Sequence, residues 1–324
     1  MEVEITIKIM SQTSFLQLAM RKKKLKCERF LDEMSQVVPW DKLADEIHPF
    51  YVEKETGRRK TNLTLLLKIY CLQQWYNLSD PGVEESIYDR NSFQKFLRID
   101  LLANDVPDET TILNFRHLLE EHKLQVKFFD VIKDILDRKG LIVKNGTITD
   151  AVIISAPSST KNKDRKRDEE MSSTKKGNNW HFGMKGHAGV DADSGLVHTF
   201  ETTTAKDHDK TKQEDLLHGE EKAIFGDKGY YDENKKKECR EGEIFYGVLD
   251  KAKRGKKLSN GQKKRNRKLS SIRAKVEHPF RVIKCQWGYR KTQYKGLHKN
   301  SMKLYAMFGL TNLYLVRKTL INTA

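Results

Sequence analysis

Residues 146–154 read GTITDAVII, and the character of the chain changes at this stretch. It is short, rich in β-branched residues and bounded by turn-forming residues such as Gly and Ser, which predicts a β-strand. Four later segments share this character: HFGMKGHAGVD, GLVHTFETTT, KAIFGDKGY and EIFYGVLD. A predicted helix, DHDKTKQEDLLHG, precedes the third of these segments, and another, DENKKKECREG, precedes the fourth. The order strand, strand, strand, helix, strand, helix, strand, helix over 146–289 predicts a mixed α/β architecture around one sheet.

Upstream of this stretch, from about residue 30 to 139, the apolar residues recur with helical spacing. The segment LTLLLKIYCLQQWYNL (63–78) has a wide apolar face and is followed by turn residues. Another helix is predicted after residues 107–109, a proline and two acids that favour a helix start. The first half is therefore predicted to be all-helical, and two apolar-poor segments, 158–179 and 251–268, are predicted to be loops.

The positive charge of the chain is confined to its last quarter. Residues 251–324 contain 21 Lys and Arg and a single acid, Glu277, which gives a net charge of +20. Because the whole chain carries +16, the residues before 251 carry −4 together. A local cationic field indicates a polyanionic partner, and nucleic acid is the commonest one. A solvated basic surface is the alternative explanation.

The remaining composition narrows the class of protein. The four cysteines are far apart and form no CxxC pair, which argues against a zinc ribbon or a dense disulfide framework and favours a reducing cytosol. No apolar run approaches the roughly 18 residues of a membrane span, and the N-terminus does not resemble a signal peptide. We therefore expect a soluble, intracellular protein with no membrane partner.

Three acids from separate elements are candidates for chemistry. Asp150 lies in the first predicted strand, Asp227 directly follows the apolar KAIFG, and Glu277 lies on the last helix predicted before residue 289. Functional side chains gather at strand ends, and a divalent cation satisfies several carboxylates together. Each acid also has an ordinary structural alternative. Asp150 could pair with an arginine or cap a turn, Asp227 could form an Asx turn, and Glu277 could pair with Arg273 or Arg281.

One predicted helical face carries four residues at intervals of four, four and three, namely Arg273, Glu277, Arg281 and Lys284. This face combines a candidate metal-binding carboxylate with phosphate-binding cations, as a phosphoryl-transfer site requires. The basic segment before it supplies four more candidate DNA contacts, which are Lys263, Lys264, Arg265 and Arg267.

A rival cluster of metal-binding residue types consists of His181, His187, Asp191, Asp193, His198, Asp207, His208 and Asp209. Zinc hydrolases use such residues, but the sequence has no HExxH or comparable ligand spacing. His208 stands between two aspartates at a predicted helix start, where capping or support of the metal site is favoured. The absence of a Walker motif and of a GxSxG elbow argues against ATP use and serine hydrolysis.

Five segments resemble the bacterial insertion-sequence transposases of the IS-five family: TDAVIISAPSSTKNK, EEMSSTKKGNNWHFGMKGHAGVDADSGLVH, LLHGEE, GDKGYYD and SIRAKVEHPFRVIK. The similarity runs from about Phe15 to Tyr314. The resemblance implies an α/β ribonuclease H-like catalytic domain, a mixed sheet with flanking helices, preceded by an all-helical N-terminal domain. The implied division of the chain is an extension over 1–14, a helical domain for DNA-end recognition over 15–140 and the catalytic domain over 141–324.

The resemblance also implies roles for individual residues. Asp150, Asp227 and Glu277 match the three acids of a DDE transposase, which hold two Mg²⁺ ions, and Mn²⁺ is expected to substitute. The superfamily signature of Tyr, two residues, Arg, three residues, Glu, six residues and Lys is met at Arg273, Glu277 and Lys284, whereas Ser270 replaces the tyrosine.

The function that this resemblance implies is a DNA transposase that binds the ends of its insertion sequence and performs metal-dependent phosphodiester hydrolysis and strand transfer. Its expected partners are double-stranded DNA, as terminal inverted repeats and target, and a second subunit in the assembled complex. The expected location is the bacterial cytoplasm, on the nucleoid when DNA is bound. A catalytically inactive terminal-repeat-binding protein or repressor and a non-transposing nuclease are the alternatives, and the three intact acids favour the transposase over the repressor.

Overall fold

The first half of the protein is helical, as predicted. The computed structural model describes residues 23–52, 60–163, 165–252 and 255–323. Seven helices precede the sheet within these residues: α1 (Lys26–Val37), α2 (Trp40–Ile47), α3 (Leu63–Tyr76), α4 (Asp80–Asp89), α5 (Asn91–Leu97), α6 (Glu109–Glu121) and α7 (Leu124–Arg138).

Short polar residues set the ends of the two helices that the sequence predicts best. Asn62 begins α3, because its side-chain oxygen accepts a hydrogen bond from the Leu65 amide at 2.9 Å. Asp108 begins α6 in the same way, since its Oδ1 accepts from the Thr111 amide at 2.6 Å. Asn77 ends α3 in a left-handed conformation with φ of 53°. Most of α3 is buried between these caps, so it forms the centre of the helical half.

One mixed sheet follows, as predicted. Its strands are β1 (Gly146–Ser155), β2 (Ser172–Lys176), β3 (Asn179–Asp191), β4 (Val197–Thr204), β5 (Ala223–Gly226) and β6 (Phe245–Val248). The main order is β4-β3-β1-β5-β6, and β2 pairs with the first part of β3. β3 runs antiparallel to β1, β2 and β4, whereas β5 is parallel to both β1 and β6.

Four helices accompany or follow the sheet in the described residues: α8 (Glu233–Glu241), α9 (Asn260–Arg273), α10 (Glu277–Arg281) and α11 (Leu297–Asn322). The 26-residue α11 joins the two halves. Its Tyr305 ring lies 6.1 Å from Phe129 of α7 and 5.0 Å from Phe200 of β4. Buried residues of the helical half and of β1, β3 and β4 therefore belong to one continuous apolar core, whereas Ile224, Tyr246 and Val248 of β5 and β6 lie in a second, smaller cluster.

Three segments differ from the sequence predictions. The predicted loop over 158–179 contains β2, because Gly177, with φ of 62°, closes a tight turn that pairs β2 with β3. The loop prediction over 251–268 is wrong in its second half, because α9 begins at Asn260. Ser259 and Gln262 form a capping box at the start of this helix. The helix predicted over 207–219 consists of two short 3₁₀ turns.

Disulfides and membrane-spanning helices are not part of the described structure. The four cysteines, Cys27, Cys71, Cys239 and Cys285, are free thiols. In the ranges that the structure describes, no helix has both the length and the apolar character needed to cross a membrane.

Candidate active site at the ends of strands β1 and β5

The parallel pairing of β1 with β5 brings two of the predicted acids to one edge of the sheet. Thr149 lies opposite Gly226 in this pair, and the next residues along the two strands are Asp150 and Asp227. Gly226 keeps the strand ends close, because a Cβ there would lie 3.2 Å from the Tyr230 Cβ and 3.3 Å from the Thr149 Oγ1. The carboxyl ends of parallel strands are where α/β proteins bind their ligands.

Asp150 is held on the central strand in a largely buried position, with 14% of its side chain exposed. Its carboxylate accepts hydrogen bonds from the Ala151 amide at 2.9 Å and from the Arg273 Nη2 at 2.6 Å. Burial raises the pKa of Asp150 above its ordinary value, and the nearby Arg273 opposes this shift without cancelling it. The negative charge of Asp150 is therefore only partly compensated, which favours a further cation beside it.

Glu277 begins α10 and faces the same region from the helical side. Its side chain is 60% exposed, and its Oε1 lies 3.5 Å from the Arg273 Nη2. One guanidinium thus pairs with both Asp150 and Glu277, so the ion pairs considered from the sequence are present. Among the described residues, no three His, Cys, Asp or Glu side chains lie close enough together to hold a metal ion. Asp150 and Glu277 stay apart because the Arg273 guanidinium pairs with both of them.

Asp227 has a local role in addition to its place at the strand end. Its Oδ1 accepts a hydrogen bond from the Lys228 amide at 2.6 Å, and it caps the 3₁₀ turn Lys228–Tyr230. This is the short-range turn role considered from the sequence. The buried Tyr230 lies close enough for Asp150 and Asp227 to act on it, and burial, the larger effect, raises its phenol pKa well above the ordinary value. Its hydroxyl therefore stays protonated beside the acids.

A cleft of about 770 Å³ contains Asp150 and Glu277. It is also lined by six basic side chains, which are Lys176, His181, Arg273, Arg281, Lys284 and Arg290. Asp227 is not among its lining residues. The predicted helical face is interrupted by a 3₁₀ turn over 274–276 and ends in a π-helical turn over 282–286, yet all four of its residues reach the cleft.

Three of these basic residues were not among the DNA contacts predicted from the sequence. Lys176 lies in a segment that was predicted to be a loop, His181 was grouped with the candidate zinc ligands, and Arg290 follows the π-helical turn. Pairing TKK with WHF across Gly177 would have indicated that the first two belong to one hairpin. No local signal connects Arg290 with them, because the helical segment 260–286 separates it from the sheet.

The four basic residues predicted on the segment before Glu277 lie on α9 and divide into two groups. Lys263, Lys264 and Arg267 are exposed. Arg265 is instead committed to the protein, since its guanidinium donates to the Tyr246 carbonyl at 2.5 Å and to the Val248 carbonyl and Asp250 Oδ2 at 3.1 Å each. Arg265 thus fastens α9 to the edge strand β6, a role that the charge pattern did not reveal.

The rival cluster of histidines and aspartates is dispersed in the structure. His187 contacts Thr203 and His198 contacts Thr147, and burial, the main cause, lowers the pKa of each imidazole to about 4. Asp191 accepts hydrogen bonds from four backbone amides around two turns. His208 caps a 3₁₀ turn by accepting from the Lys210 amide, which confirms the predicted capping role. These contacts give His187, His198, Asp191 and His208 structural roles, and His181 lies apart from them in the cleft of Asp150.

Comparison with protein-family models assigns the chain. Residues 143–313 match the transposase DDE domain, a span that contains β1 to β6 and all three candidate acids. The chain belongs to the transposase DDE domain family. Residues 19–118 of this transposase match a second model, the transposase domain (DUF772), which covers much of the helical half. No solved structure was found to match the chain.

The two matches identify an insertion-sequence transposase and confirm the resemblance at this level. The protein is an enzyme of DNA transposition, its partner is DNA, and its family generally uses divalent metal ions. These properties agree with a cleft in which carboxylates and phosphate-binding cations lie together.

Proposed function

We propose that this transposase is a member of the IS-five family that binds the ends of its insertion sequence, hydrolyses phosphodiester bonds there and transfers the strand to target DNA. The register of β1 and β5, which sets Asp150 beside Asp227 at the edge of a cationic cleft, is the observation that carries the proposal. The strand order β4-β3-β1-β5-β6, with only β3 antiparallel to its neighbours, supports a ribonuclease H-like fold for the catalytic domain.

The proposed cofactor is a pair of Mg²⁺ ions held by Asp150, Asp227 and Glu277, and Mn²⁺ would substitute. Three carboxylates form a hard, oxygen-only donor set of the kind that Mg²⁺ prefers. The incompletely compensated charge of the buried Asp150 supports a cation at this place. When bound, such ions polarise the scissile phosphate and lower the pKa of the attacking water or DNA 3′-OH.

The remaining side chains of the cleft would position the DNA strand. Arg281 at the end of α10 and Lys284 in the π-helical turn after it would present positive charges to a phosphodiester in the cleft. Arg273 now pairs with Asp150 and Glu277, and its planar guanidinium would become free for a phosphate oxygen when a metal replaces it. Asp150 lies on a central strand with neighbours on both sides, which keeps its carboxylate fixed during the reaction.

The proposal includes the organisation inferred from the sequence. Residues 15–140 would recognise the element's end, 141–324 would cut and join DNA, and two subunits would assemble on a pair of ends in the bacterial cytoplasm. The extension over 1–14 lies outside the described residues. Because α11 packs against both α7 and β4, the proposed recognition part is held firmly against the catalytic part.

Incubating the purified protein with DNA that carries its element's end tests this function. With Mg²⁺ we expect nicks at the terminus, and with a target DNA we expect joined products. Asp150→Asn, Asp227→Asn and Glu277→Gln should bind the DNA without cutting it. Glu220→Gln, which removes the charge of an exposed acid away from the cleft, is the matched control and should cut normally. Wild-type protein that binds the end but never cuts it would instead indicate the inactive repressor.

A further inference from the structure

Strands β2 and β3 form a two-stranded ribbon that extends beyond the rest of the sheet. β1 pairs with β3 only as far as Ser155 opposite Gly183, whereas β2 pairs with the five residues 179–183 that lead up to this point. Gly183 allows the close crossing there, because a Cβ on it would lie 2.1 Å from the Ile154 carbonyl oxygen. Residues 173–181 therefore project next to the end of β1 that follows Asp150.

The pairing register assigns the side chains of this ribbon to two faces. Lys176 lies opposite Asn179 and Thr174 lies opposite His181, which sets Lys176 and His181 on one face. Lys175 lies opposite Trp180 on the other face, where the indole is 71% exposed. Lys176 and His181 line the cleft of Asp150 and Glu277, whereas Lys175 and Trp180 do not. The ribbon is thus one wall of this cleft.

Lys284 and Arg290 line the same cleft from the chain that follows α10. Arg290 is held in place by its Nε, which donates to the Lys284 carbonyl at 2.9 Å. Burial lowers the pKa of Lys284, and the charges of Lys176 and Arg290 lower it further, so both of these cations lie close enough to act on Lys284. Within the described part of the chain, neither Lys176 nor Lys284 forms an ion pair, although Glu277 lines the same cleft. Because the two acids of the cleft pair with Arg273, the remaining cations are left to attract an anion.

We propose that Lys176, Lys284 and Arg290 form a second phosphate site, which binds a phosphodiester of the DNA strand next to the one that is cut. This inference rests on the function proposed above. A cleft of about 770 Å³ that reaches from Asp150 to Arg290 has room for more than one phosphate group. Binding the neighbouring phosphate would set the register of the strand, so that the scissile bond faces the carboxylates. The ribbon would then act as a clamp that is independent of base sequence.

Lys176→Gln and Lys175→Gln form a matched pair for testing this site. Both lysines are exposed neighbours on the same strand, but only Lys176 faces the cleft. The affinity for end-containing duplex DNA is measured without metal at several salt concentrations. In Lys176→Gln, the slope of log affinity against log salt concentration should be smaller by about 0.9 than in the wild type. Lys175→Gln should keep the wild-type slope, and both variants should keep the wild-type unfolding midpoint.

Neutral methylphosphonates, introduced one at a time around the cleavage position, identify the phosphate that is bound. One position next to the scissile phosphate should weaken wild-type binding and have little further effect on Lys176→Gln. An unchanged slope in Lys176→Gln, an equal loss in Lys175→Gln, or independent effects of every methylphosphonate would overturn the second phosphate site. Inorganic phosphate at millimolar concentration should compete with DNA more strongly for the wild type than for Lys176→Gln, and equal competition for these two proteins would also count against the site.

The same preparations separate this site from the function itself. If wild-type protein cuts in Mg²⁺ and Asp150→Asn does not, the proposed function stands whatever the salt slopes are. If the two proteins behave alike, the proposed function fails, and the slopes and methylphosphonate positions then report on the binding site alone.

Discussion

Arg273→Gln removes the guanidinium that pairs with two of the three acids. In the present structure the Arg273 Nη2 lies 2.6 Å from the Asp150 Oδ2 and 3.5 Å from the Glu277 Oε1. In the variant, Asp150 keeps its largely buried position and loses its only ion-pair partner in the described structure. We expect the metal-free variant to be less stable and to bind a divalent metal ion more tightly than the wild type.

The size of both effects follows from the burial of the pair. Removing one partner of a buried ion pair costs about 3–5 kcal/mol. Since 24% of the Arg273 side chain and 14% of the Asp150 side chain are exposed, we expect a loss at or just below the lower limit of this range, about 2–3 kcal/mol at neutral pH. Removing the competing cation should strengthen Mn²⁺ binding about tenfold, which corresponds to about 1.4 kcal/mol.

The pH dependence has a defined sign. Burial raises the pKa of Asp150 in the folded protein, and loss of Arg273 raises it further. The folded state then binds a proton more tightly than the unfolded state does, so the destabilisation is full above the raised pKa and disappears as pH falls below the unfolded value. The stability difference between Arg273→Gln and the wild type should therefore shrink in acid.

Urea unfolding with and without Mn²⁺, together with calorimetric titration of Mn²⁺, measures these effects. Arg281→Gln is the matched control, because Arg281 lies in the same cleft and makes no described ion pair with an acid. It should change the unfolding free energy by no more than about 0.5 kcal/mol. If Arg273→Gln is as stable as the wild type and binds Mn²⁺ no more tightly than Arg281→Gln does, the guanidinium does not hold the place of a metal ion.

Three further predictions follow from the same structure. Asp150→Asn, Asp227→Asn and Glu277→Gln should each reduce cleavage more than a hundredfold with DNA binding retained, because a loss of about 3 kcal/mol in transition-state stabilisation already has this effect. If a variant still cuts at a tenth of the normal rate in a gel assay, the acid that it replaces is not catalytic. Arg265→Gln should lower the unfolding free energy by about 1–3 kcal/mol and change the slope of log DNA affinity against log salt concentration only a little. The triple variant Lys263→Gln, Lys264→Gln and Arg267→Gln should lower this slope by up to about 3 and keep wild-type stability. The opposite pattern would show that Arg265 binds DNA. A fragment of residues 141–324 exposes the face of α11 that packs on α7 and should aggregate or unfold in sedimentation and circular dichroism, and a stable monomeric fragment would show that the two parts fold independently.

Local patterns predicted most of the elements. The apolar spacing of 63–78 and the acids before residue 110 correspond to α3 and α6, and the β-branched runs correspond to five of the six strands. β2 was missed because SSTKK has no apolar alternation, and its pairing depends on the turn at Gly177 and on the neighbouring β3. The start of α9 was missed because its basic residues resemble a disordered loop, whereas a capping box and the contacts of Arg265 fix the helix on β6.

The sequence by itself determined the residue types on which the chemistry depends, namely three acids on separate elements and a cationic last quarter, and its motifs indicated the transposase family that the comparisons confirm. Those features are local, so they can be recognised without knowing how the chain folds. Only the tertiary structure decided which cations share the cleft with Asp150. Lys176, Lys284 and Arg290 come from a ribbon and from the end of a helical segment more than 100 residues away, and their separation in sequence says nothing about their separation in space. The same holds for Arg273 and Arg265, two arginines of α9, because packing commits one to the acids and the other to the edge of the sheet.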